Sequence, residues 1–137
     1  ANEKMRPAAE NGVEAFEQVG VAFIHIAVAK PNLFRFLYLE GYSGSPAENF
    51  DALTKDDDNA ELIKRISRDL GISEDSAGRY LQNTIIYTYG IAALSATGII
   101  KASEDEIMNL VNSAADGFLM QEGADPDKIP KHKEKRK

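Results

Sequence analysis

The chain has 137 residues, of which 43% are hydrophobic and 28% charged, and a net charge of −6. This length and composition predict one globular domain with a hydrophobic core. The absence of cysteine excludes disulfides, a thiolate nucleophile and cysteine metal sites. The last ten residues carry six basic side chains and one acidic one, a net +5, which leaves −11 on the rest. A body this acidic repels nucleic acid.

The first part of the chain predicts a linker and two helices. Residues 1–11 are polar and predict a lead-in. Apolar residues then recur at helical spacing up to Ala29, and a second helix is predicted over residues 31–39, because proline is accepted in a first helical turn. The first helix is apolar on every side, which predicts burial all round, including at His25.

The later helices are marked by their ends. Asn59 is expected to cap a helix that ends at Gly71, with one further helical turn suggested near residues 47–58. Ser73 predicts the start of a long helix that ends near Thr97, and Ser103 with Glu106 forms a capping box for the last helix. We therefore predict an all-α protein, an antiparallel bundle of about six helices.

The domain boundaries follow from these elements. Residues 12–124 are predicted to form the helical domain, and the basic residues 125–137 a solvated, disordered tail, with contact to an acidic partner as the alternative. The longest apolar run, residues 19–29, is shorter than the roughly 20 residues that a membrane span needs. We accordingly expect no membrane partner.

Catalytic and metal motifs are missing from the sequence. It has two histidines, His25 and His132, and neither a zinc-binding helix motif, a di-iron motif, a phosphate loop nor a nucleophile elbow. We predict no enzyme activity, no metal and no cofactor. A weak alternative is a small enzyme that acts through tyrosine or carboxylate groups.

Aromatic and hydroxyl side chains at helical spacing are typical of a ligand pocket. Ordinary core packing explains the same pattern equally well. On the long helix Tyr80, Thr84 and Tyr87 fall on one stripe that mixes hydroxyls with apolar surface. The candidate ligand-binding residues are Phe16, Gly20, Phe23, His25, Leu37, Tyr38, Phe50, Tyr80, Thr84 and Tyr87.

A second set of residues predicts a homodimer. The other stripe of the long helix is small or apolar, and the last helix is apolar over a wide arc, more than a monomer of this size can bury. The last two helices are expected to form a four-helix interface with a second copy. The candidate interface residues are Ile86, Gly90, Ala93, Thr97, Leu110, Val111, Ala114 and Phe118.

Two segments resemble the ligand-binding domain of TetR-type transcriptional regulators. HIAVAKPNLFRFLYL resembles the family's helix that ends at a charged residue and proline, and IIYTYGIAALSATGIIKASEDEIMNLVNSAADGFL resembles its last two helices. The resemblance covers about residues 12–122. Ile85 and Tyr89 stand where many relatives carry Trp and His.

The resemblance implies a cytoplasmic, homodimeric transcription factor, usually a repressor, that binds a small, largely apolar or aromatic effector. The family's N-terminal helix-turn-helix is missing before Val13, so the chain is expected to contact DNA only through that missing domain. The alternative function is a helical interaction or scaffold module with a solid core and no ligand.

Overall fold

The computed structural model describes residues 12–39 and 57–131, which form helices and their connecting turns and contain no strand. The predicted all-α class is confirmed. The described residues form five α-helices, whereas about six helices were predicted. The five are α1 Gly12–Ala29, α2 Pro31–Phe34, α3 Asp57–Leu70, α4 Glu74–Ala96 and α5 Glu104–Gln121. The predictions for residues 1–11, Phe50, the turn near residues 47–56 and residues 132–137 lie outside the described residues.

The helix ends follow local capping chemistry. Ser73 accepts a hydrogen bond from the Ser76 N–H at 3.0 Å at the start of α4. The capping box of α5 is complete, because Ser103 Oγ accepts from the Glu106 N–H and Glu106 Oε1 accepts from the Ser103 N–H. After α4 the chain turns at Gly98, whose φ of +80° favours glycine. The start of α3 differs from the prediction: the helix begins at Asp57, so Asn59 lies inside its first turn.

α1 contacts each of the other four α-helices along one side, and it approaches α3 closely at Gly12. A Cβ atom there would lie 2.9 Å from the Ile66 side chain and from the Ile66 backbone nitrogen, so only glycine fits. The Gly12 N–H also donates to Asp69 Oδ2 at 2.9 Å, which satisfies one free donor at the start of α1.

The expected all-round burial of α1 is wrong. Ile24 and Ala27 are buried, whereas Val19 is 62% exposed and the His25 side chain is 60% exposed. Apolar composition did not reveal that α3, α4 and α5 cover one side only. Over its full 18 residues α1 is long and apolar enough to cross a membrane, the one such helix among residues 12–39 and 57–131. Core helices of soluble proteins meet the same criterion, so it does not assign a membrane span.

α2 continues directly into a π-helical turn, Arg35–Leu39. Pro31 occupies the first turn of α2. The chain bends at Lys30, and the Lys30 N–H still donates a hydrogen bond to the Ile26 carbonyl. The bend folds α2 back on α1 and places Phe34, fully buried, between the two helices and α4.

α4 and α5 run antiparallel. Arg79, near the start of α4, binds Glu122, just after the end of α5, with a 2.9 Å contact between Nη2 and Oε1. The core consists of two clusters of buried side chains along these helices. The first cluster is centred on Ile66, Tyr80, Leu81 and Leu119. The second is centred on Ile24, Phe34, Ala92 and Ile107.

The chain after α5 lies against the first cluster. A short 3-10 helix, Pro126–Lys128, follows Asp125, and Ile129 packs against the buried side chains of that cluster. The part of the predicted tail that the structure describes, residues 125–131, thus includes an apolar contact with the domain.

Candidate functional site

An apolar cavity of about 170 Å³ lies between α1, α4 and α5. α1 contributes aromatic, aliphatic and glycine positions, α4 contributes tyrosines and threonines, and α5 contributes mainly apolar side chains. The lining residues are Phe16, Glu17, Val19, Gly20, Phe23, Tyr80, Thr84, Ile85, Thr88, Tyr89, Met108, Val111, Asn112 and Ala115.

The cavity separates the two core clusters. Tyr80 and Ala115 belong to the first cluster, and Val111 belongs to the second. At Gly20 an added Cβ atom would meet nothing within 4 Å, so the absent side chain leaves part of this space open. The core is thus interrupted where protein interiors are ordinarily close-packed.

Two buried hydroxyl groups in residues of the cavity wall have no hydrogen-bond partner among the described residues. They are the phenol of Tyr80, which is 0% exposed, and the hydroxyl of Thr84, which is 6% exposed. A buried polar group left unpaired costs about 1–3 kcal/mol. Burial raises the pKa of the Tyr80 phenol, and the negative charges of Glu17 and Asp116 raise this pKa further, so the group is protonated at neutral pH.

Aromatic pairs flank the cavity at both ends of its α1 wall. The Phe16 ring meets Tyr80 edge-on, with centroids 5.7 Å apart. Phe23 stacks edge-on against both Phe34 and Tyr38, at 5.0 Å in each case. The Tyr89 hydroxyl donates to the Tyr38 backbone carbonyl, and burial raises the pKa of Tyr89.

The predicted ligand-binding residues divide into two groups. Phe16, Gly20, Phe23, Tyr80 and Thr84 line the cavity. Tyr38 packs behind Phe23, and Leu37 is 45% exposed on the π-helical turn.

His25 and Tyr87 also lie outside the cavity. The His25 ring points away from it, with Nδ1 3.0 Å from Glu104 Oε1 at the start of α5. Tyr87 packs edge-on against Phe118, with centroids 6.4 Å apart, between α4 and α5. Phe50 lies outside the described residues.

The prediction missed part of the cavity wall. The residues that sequence reasoning did not select are Glu17, Val19, Ile85, Thr88, Tyr89, Met108, Val111, Asn112 and Ala115.

The predicted interface residues lie mainly on the outer face of α4 and α5. Ile86 is 41% exposed and Leu110 is 53% exposed, and an added Cβ at Gly90 would meet nothing. Thr97 is exposed, while Ala93, Ala114 and Phe118 are partly buried. Val111 is different: it is 5% exposed and lines the cavity.

The wall of the cavity is almost wholly apolar. Among residues 12–39 and 57–131 there is no group of three or more His, Asp or Glu side chains that can hold a metal ion. Apolar walls with a few hydroxyl and amide groups are typical of sites that enclose a small organic molecule. No protein-family model, no curated protein and no solved structure matches this chain. The TetR-type resemblance therefore rests on the sequence motifs alone.

Proposed function

We propose that this chain is the effector-binding and dimerisation domain of a TetR-type transcriptional regulator, most simply a repressor. The observation that carries the proposal is the apolar cavity between α1, α4 and α5, which divides the core into two clusters. A cavity in the core is not expected of a scaffold module without a ligand, because empty space in a core lowers the stability of the fold.

The volume of the cavity indicates how much of an effector it can enclose. An engineered apolar cavity of about 150 Å³ in another protein stays dry and binds benzene. The present cavity, about 170 Å³, is therefore large enough for one substituted aromatic ring. Drug-sized ligands occupy pockets of roughly 300 Å³ or more, so a ligand of that size would extend beyond this partly open cavity.

The outer face of α4 and α5 supports the proposed homodimer. Leu110 on α5 and Ile86 and Leu94 on α4 expose large apolar side chains, and Gly90 between the latter two leaves room for a close helix contact. An antiparallel helix pair with such a face forms a four-helix interface when two copies meet across a two-fold axis.

α4 connects the two proposed sites physically. Its inner face carries Tyr80 and Thr84 at the cavity, and its outer face carries Ile86 and Gly90 at the proposed interface. A ligand that prefers one spacing of α1, α4 and α5 shifts the population toward it. In the proposed regulator this shift changes the separation of the two DNA-reading heads and weakens operator binding.

Thermal unfolding with small aromatic probes tests the binding function. We expect toluene or p-cresol to raise the melting temperature of the chain, because a ligand at about 100 times its dissociation constant adds about 2.7 kcal/mol of stability. Cyclohexanol of similar size serves as the non-aromatic comparison.

A cavity-filling variant provides the control. Gly20→Leu places a side chain in the open space at Gly20 and should abolish the stabilisation by each probe. The proposal fails if no probe stabilises the wild-type chain, or if wild type and Gly20→Leu respond equally.

A further inference from the structure

The partly open cavity meets solvent beside Val19 and Tyr89. Among the wall residues, Val19 on α1 is 62% exposed and Tyr89 on α4 is 38% exposed, whereas the others are buried or partly buried. The opening therefore lies between α1 and α4. Because the wall is almost wholly apolar, a charged group inside the cavity would lose its hydration without a replacement. A ligand that carries such a group must leave it at the opening.

The helices that surround the cavity are acidic. α1 and α4 each carry two carboxylates and α5 carries four. The one Lys or Arg on these three helices is Arg79, whose guanidinium is bound to Glu122. A cleft between such helices has a negative potential, because low-dielectric walls focus the field of charges of one sign.

The negative potential reaches the cavity wall itself. Glu17 is one of the wall residues, and no Lys or Arg belongs to the wall in the described part of the chain. Burial, and then the negative charges of Glu17 and Asp116, raise the pKa of the Tyr80 phenol in the same wall. An anion that approaches the cavity is therefore repelled, and a cation is attracted.

We propose that the effector is a small amphiphilic cation, with an aromatic body inside the cavity and a protonated amine at the opening beside Val19 and Tyr89. This inference rests on the proposed effector-binding function. The aromatic body gains the free energy of apolar burial. The amine keeps its water, lies in the negative potential and can rest beside the exposed ring of Tyr89, where a cation–π contact adds to the attraction.

Titration calorimetry with three probes that share a phenylethyl body tests the proposal: 2-phenylethylamine, 2-phenylethanol and 3-phenylpropanoate. At neutral pH we expect the amine to bind about tenfold more tightly than the carboxylate, which corresponds to about 1.4 kcal/mol, with the alcohol between them. Raising the ionic strength from about 0.1 M to about 1 M shortens the Debye length from about 10 Å to about 3 Å, and the ratio of the two affinities should fall to about threefold or less.

A positive charge at the opening tests the placement of the amine. Val19→Lys should lower the ratio of amine to carboxylate affinity about fivefold, because a unit charge roughly 8 Å away acts on the two probes in opposite directions. The affinity for 2-phenylethanol should not change.

Val21→Lys is the matched control. Val21 is 44% exposed on the same helix and is not a wall residue. It lies about 200° around α1 from Val19, so at about 0.1 M salt its charge should change the ratio by less than about twofold.

The outcomes separate this inference from the proposed function. Binding of 2-phenylethanol, with the carboxylate bound as tightly as the amine or more so, overturns the cation and leaves the effector-binding function intact. Binding of toluene but of none of the three probes has the same meaning. Binding of neither toluene nor any of the three overturns both proposals.

The variants and the salt dependence give two further tests. Equal changes of the ratio in Val19→Lys and Val21→Lys overturn the placement of the amine at the opening. If either variant fails to fold by circular dichroism, the wild-type chain decides. A ratio that stays the same between about 0.1 M and about 1 M salt contradicts selection by charge.

Discussion

The hydroxyl of Tyr89 on α4 donates a hydrogen bond to the backbone carbonyl of Tyr38 in the π-helical turn. Tyr89 also lines the cavity, and its ring lies 5.8 Å from that of Phe23. One side chain thus joins the cavity wall to the segment that follows α2. A ligand that displaces the Tyr89 ring must either move this turn or break the hydrogen bond.

Tyr89→Phe removes this link while keeping the ring. We expect the free energy of unfolding, measured by urea denaturation, to fall by about 0.5–1.5 kcal/mol, the usual net contribution of one hydrogen bond. Tyr87→Phe on the same helix is the control, because the Tyr87 ring packs against Phe118 away from the cavity. Equal effects of the two changes would show that the Tyr89 hydroxyl has no special role.

Substitution of Gly20 tests whether the space beside α1 is empty. Gly20→Ala should raise the free energy of unfolding by about 1 kcal/mol, because alanine is the better helix former and its methyl group meets no neighbour. Gly78→Ala on α4 is the control, since its added Cβ makes an ordinary contact 3.8 Å from Ile63. A loss of stability at Gly20 with a gain at Gly78 would show that the cavity is closed in solution.

A charge on the outer face of α5 tests the proposed dimer. Leu110→Glu should shift the chain from dimer to monomer in sedimentation at micromolar concentration, because an unpaired charge in an apolar interface is costly. Met120→Glu is a matched control: Met120 is 56% exposed against 53% for Leu110, but it lies on another side of the helix. A monomeric wild-type chain would refute the dimer directly.

The Arg79–Glu122 pair predicts a component of acid sensitivity. The hydrogen bond from Arg79 lowers the pKa of Glu122 below its ordinary value of 4.5. A carboxyl whose pKa is lowered on folding adds stability above its unfolded pKa, and this contribution is lost as pH falls through the folded pKa. Arg79 stays charged throughout, since Glu122 raises its pKa further.

Glu122→Gln should therefore make the pH dependence of stability shallower below about pH 4.5. Denaturant midpoints measured from neutral pH down to about pH 3 provide the comparison. Glu61→Gln, on the exposed side of α3, removes an acidic charge without touching Arg79. The denaturant midpoint should fall less steeply with decreasing pH in Glu122→Gln than in Glu61→Gln. Identical pH profiles of the two variants would mean that the Arg79–Glu122 pair does not stabilise the folded chain.

The helix ends were predictable because their causes are local. Ser73 and the Ser103–Glu106 capping box act within one turn of the chain, and Gly98 needs only its own positive φ to end α4. The start of α3 was less predictable. Asp57 and Asn59 are both residue types that favour a helix start, and packing decides at which of them the helix begins.

The cavity wall was only partly predictable, because it depends on which face of a helix meets which neighbour. The predicted stripe of Tyr80 and Thr84 lies in the cavity wall, but it was continued to Tyr87, which is outside the wall, and not to Thr88, which is part of it. These positions differ by one step of about 100°, which hydrophobic spacing does not resolve on a helix with apolar residues on several sides. For the same reason Val111 was predicted to lie at the dimer interface, whereas it is buried in the cavity wall.

The proposed function requires the cavity between α1, α4 and α5 to hold a small aromatic molecule. Titration calorimetry of p-cresol against the wild-type chain and Gly20→Leu tests it most directly. We expect one binding site per chain in the wild type and no binding to Gly20→Leu. Equal binding to both chains would place the ligand elsewhere, and no binding to either would contradict the proposed function.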